Sequence, residues 1–162
     1  MNAKKQFSDV FARESATTRR VIHSLPQGKA EFTPFAGGPP ARQLAFIFSI
    51  GQGAIAAALS NQWQWPPQMP EAPKSYAEVL AAFDATNAAA REAIAAAPDG
   101  RLDEKVPFFT APKQMGEIPV GELIWFMLLD SVHHRGQFST YLRVAGEKVP
   151  SIYGPSRDEP WM

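Results

Sequence analysis

The stretch PVGELIWFMLLDSVHHRGQFSTYLRVAG, residues 119–146, decides how the chain is read. Pro119 suits the first turn of a helix, Gly146 suits the position just past its end, and no proline stands between them. Proline lacks the N–H that a helix interior needs, and strands seldom reach this length, so the stretch reads as one long helix. At about 100° per residue, Leu123, Phe126, Met127, Asp130, His134, Gln137, Phe138 and Tyr141 share a face expected to turn toward a core. Asp130 and His134 lie one turn apart on it, separated by about 40°, so a carboxylate and an imidazole interrupt an apolar stripe.

Working outward, the 15 prolines leave four stretches free: 1–25, 41–65, 74–97 and 120–149. Each reads as a helix. The first places Phe7, Val10, Phe11, Val21, Ile22 and Leu25 at helical spacing, turns Arg19 and Arg20 away, and stops at Pro26. The second, from Leu44 to Leu59, has only Ser49 and Gln52 as clearly polar residues. A helix apolar all round is buried on several sides, so this one is expected to face the core on one side and a partner subunit or the long loops on the other. The third opens on a Ser75-x-x-Glu78 capping box and carries Tyr76, Val79, Leu80, Phe83, Asn87, Ala90 and Ile94 as one stripe. The expected architecture is an all-α four-helix bundle formed as a single domain by residues 1–162, with long crossover loops at 26–40 and 98–119. Ile152, Tyr153 and Trp161 suggest that the segment after Pro150 docks on the bundle.

Composition removes several classes of function. The chain has no cysteine, so disulfides, thiolate metal ligands and a cysteine nucleophile are excluded. Sixteen basic residues balance sixteen acidic ones, which gives no electrostatic footprint for direct nucleic-acid contact. The longest strongly apolar run, Leu123 to Leu129, falls well short of the roughly 20 residues of a membrane span. A cytoplasmic location with no membrane partner is the expectation.

Two readings of the Asp130/His134 pair stay open. Oxygen and imidazole donors one turn apart can ligate a divalent metal, with zinc, nickel, iron or manganese all suited. The same spacing also makes a hydrogen-bonded pair that fixes helix packing. His133 is a candidate further ligand, proton shuttle or polar contact. Gln137 and Tyr141 are candidates to line the same pocket. Arg135 can meet an anion or pair with an acidic residue, Gly136 can allow close helix approach, and Trp63 and Trp65 can line a pocket mouth.

The string HHRGQFSTYLRVAGEKVPSIYGPSRDEPW, residues 133–161, with PVGELIWFMLLD before it, resembles the signature of the DinB-like (DinB/YfiT-like) superfamily. The resemblance implies a four-helix bundle of up-up-down-down type, commonly a homodimer, with a divalent metal bound by three histidines. In some relatives that metal activates a low-molecular-weight thiol for transferase or isomerase chemistry. Carried over residue by residue, the last histidine matches His134, and the ligand four residues earlier is Asp130. The ligand expected on the second helix falls on Ile47, in Gln43-Leu44-Ala45-Phe46-Ile47-Phe48, and isoleucine cannot ligate. The implied function is therefore either metal-dependent transferase or hydrolase chemistry at Asp130 and His134, thiol-dependent as in some relatives, or a non-catalytic bundle. The latter, with its metal site degraded at Ile47, would bind a small molecule or a protein partner.

Overall fold

The computed structural model describes residues 2–162. Four helices follow the proline-free windows: α1 Ala3–His23, α2 Ala41–Leu59, α3 Tyr76–Ala96 and α4 Val120–Val144. Local chemistry sets their ends. The Asn2 side chain accepts the Lys5 N–H at the start of α1, and Ser75 and Glu78 form the reciprocal capping box of α3. Pro119 is the N-cap of α4, one residue before the first turn. At its far end Gly146, at φ +79°, lets its own N–H and that of Glu147 return to the Arg143 and Leu142 carbonyls. α2 ends before the proline expected to stop it. Asn61 takes φ +59°, and the Gln62 N–H reaches the Ala57 carbonyl at 2.7 Å, so an asparagine fills the left-handed cap position. Buried Arg101 adds two donated bonds to the Ala58 carbonyl, at 2.9 and 2.6 Å.

The core is split in two. One cluster gathers Phe7 and Phe11, Ile55 to Leu59, Ala90 to Ala97, and Val120 to Leu128. The other gathers Val21 to Leu25, Ala41 to Phe48, Tyr76 to Phe83, and Phe138 to Leu142. The order in which each helix visits the clusters gives its direction. α1 and α4 run from the first cluster to the second, whereas α2 and α3 run back, an up-down-down-up bundle rather than up-up-down-down. The crossover is therefore residues 60–75, between parallel α2 and α3, while 26–40 and 98–119 join helices at one end.

At the changeover each helix carries polar residues: Ser15 and Thr18 on α1, Ser49 and Gln52 on α2, Thr86 and Asn87 on α3, Ser131 and Arg135 on α4. This belt crosses the bundle at mid-height. Gly51 sits beside it, and a Cβ there would stand 3.2 Å from the Ser131 Oγ, so glycine lets α2 and α4 approach. Gly136 has no such role, because nothing lies within 4 Å of its would-be Cβ.

The segment read as a loop at 98–119 holds a 3-10 turn, Asp99–Asp103, and an antiparallel hairpin of β1 Lys105–Ala111 and β2 Gln114–Pro119. Val106 and Phe108 point inward while Lys105, Pro107 and Phe109 point out, the alternation a one-sided strand requires. α2 is long and apolar enough to suit a membrane span by length and composition, yet over half of it is buried against the rest of the bundle. Its other side faces the crossover across open grooves lined by Phe46, Ile50 and Gly53.

The terminal segment does dock, but through polar groups. Asp158 accepts the Val149 N–H, Glu159 accepts the Ser151 N–H and pairs with Arg20, and Arg143 pairs with Asp158. Ile152 packs on the second cluster, while Tyr153 and Trp161 stay mostly exposed.

Candidate functional site

The α4 face expected to be the core stripe is rotated. Leu123, Ile124, Leu128, Arg135, Phe138, Tyr141 and Leu142 are buried, whereas Phe126 is 50% exposed and Gln137 is exposed. Phe126 is spared full exposure by the hairpin, its ring 5.2 Å from that of Phe108. Asp130 and His134 consequently lie at the rim, with side chains 42% and 21% exposed and 3.4 Å between Oδ2 and Nε2. His134 Nδ1 is 2.9 Å from Gln137 Oε1, and Gln137 Nε2 is 2.9 Å from His133 Nε2. Asp130, His134, Gln137 and His133 thus form one polar chain along the surface of α4.

The other candidates do not complete that cluster. Ile47 is half buried and lines a groove with Arg42, Gln43, Phe46, Ile50 and the 70–74 segment. Buried Tyr141 stacks on Phe138 and donates its hydroxyl to the Pro39 carbonyl at 2.9 Å, fixing the chain into α2. Gln52 is committed to the belt, where its Oε1 accepts the Thr86 hydroxyl at 2.8 Å. Among the described residues no three His, Asp or Glu side chains stand close enough together to hold a metal ion. A three-ligand centre of the kind the family resemblance implies does not fit this donor set.

The buried charge on α4 is Arg135, 1% exposed. Its Nη1 donates to the Glu14 carbonyl at 3.0 Å and to Thr18 Oγ1 at 3.3 Å, and its Nη2 to Glu14 Oε2 and the Tyr153 hydroxyl, both at 2.6 Å. The Tyr153 hydroxyl in turn donates to Glu14 Oε2 at 2.8 Å, and burial pushes its pKa upward. Arg135 therefore pairs with an acidic residue and caps a carbonyl, binding α4, α1 and the terminal segment together.

A mainly apolar concave site lies elsewhere, between α2, α3 and the crossover; the groove at Ile47 is larger, about 620 Å³, but carries the charged Arg42, Glu71 and Lys74. The apolar site is a cleft of about 370 Å³ walled by Phe46, Ser49, Ile50, Gly53, Ala54 and Ala57 of α2, Thr86 of α3, and Gln62, Trp63, Gln64 and Pro67 to Met69 with Pro70 above. Trp63 is held at its edge by donating Nε1 to the Pro107 carbonyl at 3.0 Å. The pocket-mouth reading of Trp63 is thus met; Trp65 packs instead on Phe108 and Phe109. No ionisable side chain lines the cleft. Its polar floor is the α2–α3 side of the belt, where Ser49 is 3% exposed and its Oγ has no hydrogen-bond partner. Ser49, Thr86 and Gly53 were not singled out for function by their sequence positions. The available signal was Ser49 itself, a lone hydroxyl in an apolar helix.

Comparison with known proteins agrees with this architecture. The structure resembles a DinB-like protein from Bacillus cereus, with a TM-score of 0.77 at 19% identity over 92% of this chain and 97% of that one. It also resembles the DinB-like protein YjoA of Bacillus subtilis, with a TM-score of 0.73 at 12% identity over 97% and 99% of the two chains. In sequence, 61 residues are 38% identical to the uncharacterised protein YrdA of Bacillus subtilis, a match spanning 38% of this chain and 34% of that relative. The DinB family model matches residues 1–161, and with the four-helix bundle already in view the chain belongs to the DinB family.

Proposed function

We propose that this chain is a non-catalytic, small-molecule-binding member of the DinB family, acting in the cytoplasm, with its ligand held in the α2–α3 cleft. The carrying observation is the cleft itself: it falls within the size range of small-ligand sites, its walls are mainly apolar with the Gln62, Gln64 and Gln68 amides on the crossover side, and a few polar atoms converge on its floor. The donor set on α4 supports the same reading, because among the described residues no third His, Asp or Glu joins Asp130 and His134 in a metal-binding group. Titration with 1-naphthol, followed by tryptophan fluorescence, tests it. Saturable quenching is expected. Gly53→Leu, which introduces a side chain where a Cβ meets nothing within 4 Å, should abolish it. Binding that survives Gly53→Leu would place the ligand somewhere else.

One observation favours a second reading, in which α4 holds a divalent metal. If Gln137 Oε1 accepts from His134 Nδ1–H, the neutral imidazole presents its Nε2 lone pair toward the Asp130 carboxylate at 3.4 Å. Two acceptors facing each other need a proton or a cation between them. Elemental analysis of protein purified without a histidine tag, beside His134→Ala, decides it: metal bound to the first and lost from the second supports this reading. In solution the chain is proposed to pair with a second copy. Exposed Phe109, Met115, Phe126 and Leu129 on the hairpin and α4 favour that pairing, and light scattering measures it.

A further inference from the structure

Resting on the cleft being the ligand site, we infer that its ligand is a neutral, largely apolar molecule bearing one hydroxyl, and that Ser49 is the residue that selects it. Charge comes first. None of the lining residues ionises, so a carboxylate, phosphate or ammonium entering the cleft would lose its water with no counter-charge to meet it. The floor then sets what polar group is wanted. A serine in a helix commonly satisfies its hydroxyl on the preceding turn, as Ser131 does on the Met127 carbonyl at 3.0 Å and Ser139 on the Arg135 carbonyl at 2.9 Å. Ser49 does not: its Oγ is buried and makes no hydrogen bond. A buried hydroxyl without a partner is costly, and rotation of the Ser49 side chain, whose Oγ is shut off from the cleft as it stands, would let a ligand oxygen meet it and remove that cost. Thr86, also lining the cleft, spends its single hydrogen within the belt and keeps lone pairs able to accept. One donor at Ser49 and acceptor capacity at Thr86 match a ligand hydroxyl, which both accepts and donates.

Three probes of like shape separate the claims: 1-naphthol, 1-methylnaphthalene and 1-naphthoate, measured by equilibrium dialysis against the full chain and Ser49→Ala. The full chain should bind 1-naphthol and 1-methylnaphthalene and reject 1-naphthoate. Ser49→Ala should weaken 1-naphthol about tenfold, the factor that one such hydrogen bond supplies, and leave 1-methylnaphthalene within about twofold. Removing an unpartnered hydroxyl should not unfold the bundle, and a urea melt of Ser49→Ala that matches the parent checks that point. Equal changes for both neutral probes, or none for either, overturn the role of Ser49 while the cleft stands as the site. Tight binding of 1-naphthoate overturns the neutrality of the ligand. Failure of all three probes to bind overturns the cleft reading together with the inference built on it.

Discussion

Replacing Arg135 with methionine should cost about 3 kcal/mol of folding stability. The methionine keeps most of the apolar stem, so the loss is the guanidinium and its four donated hydrogen bonds. Removing one member of a buried ion pair costs roughly 3–5 kcal/mol, because the other charge is left without its counter-charge. The lower end applies here. The Glu14 side chain is 14% exposed and still accepts the Tyr153 hydroxyl, so water and the phenol compensate part of the loss. For a chain of this size the deficit lowers the melting temperature by roughly 6–12 °C. Urea denaturation should show the midpoint falling with an unchanged slope, since the surface exposed on unfolding is much the same. The partner variant tests the cause. Glu14→Leu together with Arg135→Met should recover much of the deficit, because an apolar pair in the same space leaves no carboxylate stranded. A loss below about 1 kcal/mol for Arg135→Met, the value of an exposed pair, would refute the claim that this ion pair is a buried tie between α1, α4 and the terminal segment.

Further expectations follow from single sites. Gly136→Ala should stabilise by about 0.5–1 kcal/mol in a urea melt, since it lies inside α4 with open space around it and alanine restricts the unfolded chain. Acid should loosen the terminal segment. The Ser151 N–H first, and then its hydroxyl and Arg20, hold the Glu159 carboxyl below its ordinary range, while the Val149 N–H and then Arg143 do so for Asp158. Folded-state values depressed in this way give docking stability that is complete above the ordinary carboxylate values near about 4 and lost as pH falls below them. Hydrogen exchange should therefore report 150–162 opening below about pH 4 while the α2 amides stay protected. Ile47→His offers the second-helix ligand that the resemblance expects, so nickel titration calorimetry should show tighter binding in the variant if α4 holds a metal. No gain in affinity would count against the second reading.

The helices were legible because proline placement and apolar spacing act locally. Ser75, Glu78 and Gly146 behave as caps because each needs only its own turn of chain. The α4 face was not legible in the same way. Asp130 and His134 drew the expected stripe toward themselves, yet a partly exposed pair costs less than a buried one, and the true core line passes through Arg135. A periodic pattern cannot say that an arginine belongs inside, because its partners, Glu14 and Tyr153, are distant in sequence. The hairpin was missed for a related reason: its Val106–Phe108 alternation is short, and prolines at 107 and 112 disguise it. The direction of the crossover depends on which cluster each helix end joins, which no single window contains.

If the cleft is the ligand site, the two sides of the polar belt have different jobs, and that division can be tested. On the α1–α4 side, among the described residues, no fully buried side-chain atom is left without a partner: Arg135 holds Glu14, Thr18 and Tyr153 in place, and Ser131 donates to the Met127 carbonyl. On the α2–α3 side the set is incomplete, with the Ser49 Oγ and the Asn87 Nδ2 both lacking partners. A core that only had to be stable would fill these positions with apolar groups, since an unsatisfied buried polar atom costs about 1–3 kcal/mol. The asymmetry therefore assigns opposite signatures to the two sides. Arg135→Met should lower stability and leave 1-naphthol affinity within about twofold of the parent once the protein is folded, because Arg135 does not line the cleft. Ser49→Ala should hold or raise stability while lowering that affinity. If both substitutions instead destabilise alike and spare binding, the belt is a uniform packing feature and the unpaired atoms on the α2–α3 side have no ligand to receive.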